Sequence, residues 1–90
     1  MPSDNEDLLN LLCREGSIDI LRVLSRGKAR FSDLKKVVKH TTLAKRLKEL
    51  EKGELVKRRI LSARPPKTEY SITNLGRKAL LIVNSLEKLE

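Results

Sequence analysis

The chain has no Trp and only one each of Phe, Tyr, Cys and His in 90 residues. With Phe31 and Tyr70 as its only large rings, it lacks the aromatic platform on which single-stranded nucleic acid stacks. A lone Cys13 excludes an internal disulfide framework. Together with the lone His40 it also falls short of the usual ligand count of a zinc cluster, so no metal is expected. No apolar run approaches the roughly 18 residues of a membrane span. The N-terminal stretch is acidic and lacks the basic region and apolar core of a secretory signal, so a cytoplasmic protein is expected. A carboxylate pair, a nucleophile with its base and a phosphate-cradling glycine loop are also missing, which argues against an enzyme and against a cofactor.

What the chain does have is positive charge in one place. Fifteen of its 20 Lys and Arg residues lie between Arg26 and Lys67, with only Asp33, Glu49, Glu51 and Glu54 as acids, so this stretch carries +11. The first 25 residues carry −3 and the last 23 are neutral, which accounts for the net +8. Concentrated Lys and Arg gain by displacing counterions from a polyanion, and duplex DNA fits better than single strands here. A solvated surface on a Lys-rich chain is the plain alternative. Where the charges fall on the elements separates the two.

Ninety residues make one small domain, spanning 1–90, whose core must come from Leu, Ile and Val. Ser3-Asp4-Asn5-Glu6 has the spacing of a capping box, opening a helix that carries Leu8, Leu9, Leu11 and Leu12 and stops near Gly16. Ser17 can cap a second helix with Ile20, Leu21, Val23 and Leu24 on its apolar face and Gly27 as its stop. Phe31 is expected in a short extended piece. Ser32 then caps a helix from Asp33 to about Lys39 with Leu34, Val37 and Val38 inward. After a turn at His40, Thr41 or Thr42 caps a helix to about Lys52, with Leu43, Leu47 and Leu50 forming one core stripe. Leu55 to Leu61 and Thr68 to Ile72 read as two strands. Arg64-Pro65-Pro66 makes the tip between them long, because proline lacks a ladder donor. Thr73 caps a last helix from Asn74 to about Leu89.

Three helices followed by a hairpin is the order of a winged helix-turn-helix, an α+β fold that is mainly α. At 100° per residue from Leu43, the outer face of the fourth helix holds Thr41, Lys45, Lys48 and Lys52, flanked by Thr42. Arg46 falls beside the core stripe and is expected to reach out from its edge. Such a helix, about 41–52, can enter a major groove, with Lys35, Lys36 and Lys39 on the flanking backbone. Lys57, Arg58, Arg59, Arg64 and Lys67 cluster on the wing, 55–72, where an Arg at the tip can follow the backbone or enter a minor groove.

Ile20-Leu21-Arg22-Val23-Leu24, Arg30-Phe31-Ser32-Asp33-Leu34, Arg46-Leu47-Lys48-Glu49-Leu50-Glu51 and Glu69-Tyr70-Ser71-Ile72-Thr73-Asn74-Leu75-Gly76 resemble the HxlR-type winged-helix transcriptional regulators of the broader MarR/ArsR-like group. The similar stretches cover roughly Ser17 to Leu80. The resemblance implies a homodimeric DNA-binding regulator in which the terminal helices, 1–16 and 74–90, pair the subunits. Leu8, Leu9, Leu12, Leu80, Val83, Leu86 and Leu89 are the candidate interface. A second copy also suits a chain whose own core is this small. Cys13 reads first as a small buried apolar residue, whereas the resemblance implies a possible redox role. Two departures stand out. The stretch from Leu34 to Leu47 is about three residues shorter than the family pattern, so the turn is tighter or the preceding helix truncated. Gly53 precedes Glu54, where the family usually has Gly directly before the Leu-Val of the strand.

The reading is therefore a homodimeric, sequence-specific regulator that binds double-stranded DNA, with no membrane and no evident small-molecule ligand as partners. A non-specific architectural DNA-coating protein and a winged-helix protein–protein module remain the alternatives. Lysines rather than bidentate arginines on the helix face favour the former.

Overall fold

Apolar residues three and four apart place most of the chain in helices, and two β-branched stretches pair as a small sheet. The computed structural model describes residues 4–90, with side chains from Leu8 onward. The order is α1 (Asp4–Cys13), α2 (Ser17–Arg26), β1 (Ala29–Arg30), α3 (Phe31–Leu34), α4 (His40–Lys52), β2 (Val56–Ala63), β3 (Pro66–Ile72) and α5 (Asn74–Glu87). The capping box expected from Ser3 to Glu6 lies outside the described residues. The three strands form one antiparallel sheet in the order β1-β3-β2. The architecture is α+β, mainly α, with the winged helix-turn-helix arrangement.

The core is aliphatic. Ile20 and Leu21 of α2, Leu34, Leu43 and Leu50 of the α3–α4 pair, and Leu55 before β2 are fully buried. Tyr70 is buried among them, as its place on the inner face of β3 predicts. Burial pushes its phenol above the ordinary value of 10.0, since the phenolate would lose its hydration.

Local chemistry departs from expectation at several helix starts. Gly16, not Ser17, precedes α2, in the left-handed region at φ 88 where a side chain is strained. The Ser17 hydroxyl instead donates to the Leu11 carbonyl at 2.6 Å, a second donor there beside the Arg14 amide at 3.3 Å. Phe31 opens α3 rather than extending β1. Ser32 does not cap α3; the Asp33 carboxylate accepts from the Arg30 amide at 3.0 Å and does so. The helix is truncated at Leu34, which is how the short family stretch is accommodated. Val38 turns inward but Val37 is exposed. His40 is the first residue of α4, edge-on to Phe31 with ring centroids 5.3 Å apart. Neither Thr41 nor Thr42 caps α4, and Lys39 at its N-cap has no acceptor to offer.

The wing is longer and its tip shorter than expected. β2 runs on to Ala63 and β3 starts at Pro66, leaving only Arg64 and Pro65 in the turn. Here the hairpin extends beyond the two-residue β1, and Pro66 stands opposite Ala63 although it has no N–H to donate across the turn. A bulge at Leu61 shifts the register between Ile60–Thr68 and Ser62–Lys67.

Thr73 caps α5 as expected. Its hydroxyl accepts from the Gly76 amide at 3.0 Å and donates to the Glu54 carbonyl at 2.6 Å. Gly76 lets α5 sit directly on the chain entering β2, because a Cβ there would lie 2.3 Å from the Leu55 carbonyl oxygen.

Candidate nucleic-acid interface

One wall of α4 is core and the other is open. Leu43, Leu47 and Leu50 are buried, and Thr41, Lys45, Lys48 and Lys52 are exposed on the far side, with Thr42 half-buried. Among the described residues, none of these three lysines has a carboxylate within ion-pair distance. Their charge is therefore not neutralised internally. No side chain caps the N-terminus of α4, so its first amides also remain open to an anion. Lys35, Lys36 and Lys39 are exposed on the short connection before it.

On the wing, Lys57, Arg58, Arg59, Arg64 and Lys67 are all exposed. The register separates them. Arg58 faces Tyr70 across the ladder and so shares the inner face, where its Nε lies 3.8 Å from Glu51 of α4. Lys57 and Arg59 pair with Ser71 and Glu69 and therefore occupy the outer face. Arg64 and Lys67 lie at the tip. The helix and the wing are thus joined at Arg58, while Lys57 sits at the wing's root.

Arg46 is a correction. It is 8% exposed and turns back, with Nε donating to the Glu15 carbonyl at 2.7 Å and Nη1 bound to Glu49. Its guanidinium is committed to the corner between α1 and α2 and is not on the open wall. Arg14 approaches the other Glu49 oxygen at 2.8 Å. Burial alone would raise the Glu49 pKa, but the hydrogen bonds from Arg46 and Arg14 outweigh it and hold the carboxyl below 4.5. This network went unread in the sequence; the only hint was an Arg at the edge of a core stripe, three residues before an acid.

The candidate interface between copies also divides. Leu12 and Leu80 are buried in the core of this chain, so they leave the candidate interface. Leu9, Leu86 and Leu89 are exposed, and Leu8 and Val83 are half-buried. Leu81 and Ile82, not among the expected interface residues, are more exposed than Leu86. Their signal was the unbroken run Leu80 to Val83, too wide for one buried stripe. Cys13 is exposed, contrary to the expectation of a buried residue.

No described helix is long and apolar enough to cross a membrane. Among the described residues there is no cluster able to hold a metal ion.

Known proteins agree with this geometry. The regulator YkvN of Bacillus subtilis is 39% identical over 70 residues, covering 74% of this chain and 59% of YkvN. YodB of the same organism, a helix-turn-helix transcriptional regulator, is 35% identical over 74 residues, covering 79% of this chain and 66% of YodB. The chain thus spans about three fifths to two thirds of the length of these relatives. The solved structure of reduced YodB superimposes with a TM-score of 0.83 at 30% identity, covering 98% of this chain and 89% of that one. The regulator ytfH from Salmonella typhimurium gives a TM-score of 0.81 at 31% identity, covering 94% and 79%. These proteins are transcriptional regulators, not enzymes. Residues 12–90 match the model of the HxlR-like helix-turn-helix family, and the chain belongs to that family.

Proposed function

We propose that the chain is a homodimeric, sequence-specific transcriptional regulator that binds double-stranded DNA. The observation that carries this reading is the open wall of α4, where among the described residues Lys45 and Lys48 have no ion-pair partner and the N-cap Lys39 makes no capping bond. Residues 41–52 would lie in the major groove with Thr41 and Thr42 nearest the bases. Lys35, Lys36, Lys39 and Lys52 would hold phosphates, and the wing's Lys57, Arg58, Arg59, Arg64 and Lys67 would follow the backbone toward the minor groove.

The exposed Leu81, Ile82 and Leu86 of α5, Leu89 just beyond it and Leu9 of α1 supply the apolar surface for the second copy. Twofold symmetry then implies half-sites about 34–36 Å apart. Cys13 is open to thiol reagents, so alkylating it tests the redox role; unchanged DNA affinity after alkylation excludes it.

Selection of bound fragments from a random duplex library tests the reading. An enriched, roughly palindromic site supports it. Retention of the pool without enrichment assigns the chain to non-specific coating, and failure to retain duplex at low salt points to a protein partner instead.

A further inference from the structure

A second basic feature lies away from α4. An open cleft of about 460 Å³ is lined by Leu24, Gly27 and Lys28 from the end of α2, Lys57 and Ser71 from the sheet, and Ile72, Thr73, Asn74 and Arg77 from the β3–α5 junction. No residue of α3 or α4 takes part, and Lys57 is the one lining residue also counted among the wing's DNA-facing cations.

Three features of the lining point to one kind of occupant. Lys28, Lys57 and Arg77 line the cleft from three separate parts of the chain, and none of the residues lining it is an acid. Among the described residues, Lys57 and Arg77 make no ion pair, and Lys28 reaches only 4.0 Å from Glu69, outside the lining. Three cationic residues lining one concavity raise its potential, and an anion seated there relieves their mutual repulsion. Ser71 and Asn74 add neutral hydrogen-bond donors, whereas the Thr73 hydroxyl is already engaged as a cap. Leu24 and Ile72 add an apolar wall, and no atom lies within 4 Å of where a Gly27 side chain would begin. The volume falls in the roughly 300–1,000 Å³ range of small-molecule sites.

We propose that this cleft binds a small, multivalent, phosphate-bearing anion. A lining charge of +3 favours a di- or trianion over chloride or a single carboxylate, and lysine and arginine donors suit phosphate oxygens. A ligand seated here would touch the α2–β1 connection, the wing's root and the start of α5 together. It could therefore bias how the wing is carried on the body of the molecule.

The test is an amide chemical-shift titration of the full chain with inorganic pyrophosphate, without DNA, beside a sodium chloride titration at equal ionic strength. Saturable shifts at Lys28, Lys57, Ser71, Asn74 and Arg77 that chloride does not reproduce are expected. Lys28→Gln/Arg77→Gln, both exposed and outside the proposed DNA contacts, should weaken pyrophosphate binding by about tenfold or more. Its duplex affinity should stay within about twofold of the parent chain. Equal shifts with chloride, shifts centred on Lys45 and Lys48, or an unchanged constant in the double variant would overturn the proposal. Loss of duplex affinity and salt dependence in that variant, with no response to pyrophosphate, would also overturn it, by assigning the cleft to the DNA backbone. Because pyrophosphate is titrated without duplex, a failure of the DNA reading leaves this result interpretable.

Discussion

Arg46 Nε donates to the Glu15 carbonyl across 2.7 Å, joining the middle of α4 to the corner where α1 meets α2. One residue earlier on the same helix, Lys45 is exposed and has no ion-pair partner among the described residues. Neighbouring cations therefore have opposite duties, one holding the helix in place and one facing outward.

That division predicts opposite mutant phenotypes. Arg46→Ala leaves the part-buried Glu15 carbonyl without its Arg46 donor and removes the bond to Glu49 from a buried side chain, so stability should fall by about 1–2 kcal/mol. Lys45→Ala should stay within about 0.5 kcal/mol of the parent chain, as ordinary surface changes do. Urea unfolding of the two variants checks this. Equal stability losses would mean that Arg46 is not the anchor.

Glu49 makes the same corner sensitive to acid. Its folded pKa is held below 4.5 by Arg46 and Arg14 against the opposing effect of burial, so the unfolded chain binds its proton more tightly. The stabilisation is complete above the unfolded value and is lost as pH falls through the folded one. Glu49→Gln should lower the urea midpoint at pH 7, and the gap from the parent chain should narrow as pH falls through the folded value of Glu49. A gap independent of pH would contradict the pairing.

Two backbone positions invert the usual substitution rules. Gly76 sits inside a helix, where Ala normally stabilises by about 1 kcal/mol. Here Gly76→Ala should instead cost about 2 kcal/mol, because its Cβ would meet the Leu55 carbonyl oxygen. Glu54 occupies the left-handed region at φ 64, so Glu54→Gly should stabilise by about 0.5–1 kcal/mol. Thermal melts showing the reverse signs would reject both arguments.

Association should depend on the outer, not the inner, leucines of α5. Leu86→Asp should yield a folded monomer by sedimentation and circular dichroism, since Leu86 is exposed in the single chain. Leu80→Asp should fail to fold at all, because it buries a charge in the core. A Leu86→Asp protein that still sediments as a dimer would move the interface elsewhere.

The strongest periodicities were legible in the sequence. Leu43, Leu47 and Leu50 announced the buried side of α4, and Thr73 announced the capped start of α5. Long side chains and local competition hid the rest. Arg46 could snorkel outward or reach inward, and its acceptor in the α1–α2 corner is 31 positions away in sequence. Ser17 looks like a cap, yet the carbonyl of Leu11 outcompetes the helix for its hydroxyl. The prolines at the wing tip argued against pairing, yet the hairpin register carries Pro66 opposite Ala63 even without an N–H. Leu12 and Leu80 fitted a shared surface equally well until tertiary packing enclosed them.

The salt dependence of duplex binding by the parent chain and by Lys45→Ala and Lys48→Ala tests the central claim most directly. With six to ten phosphate contacts, affinity for the selected duplex should fall by about 10³–10⁵ between 50 and 200 mM salt. Each substitution that removes a phosphate contact should weaken binding and flatten the log–log slope by about 1, with folding intact. Unchanged affinity and slope in both variants would contradict the claim that the open wall of α4 faces DNA.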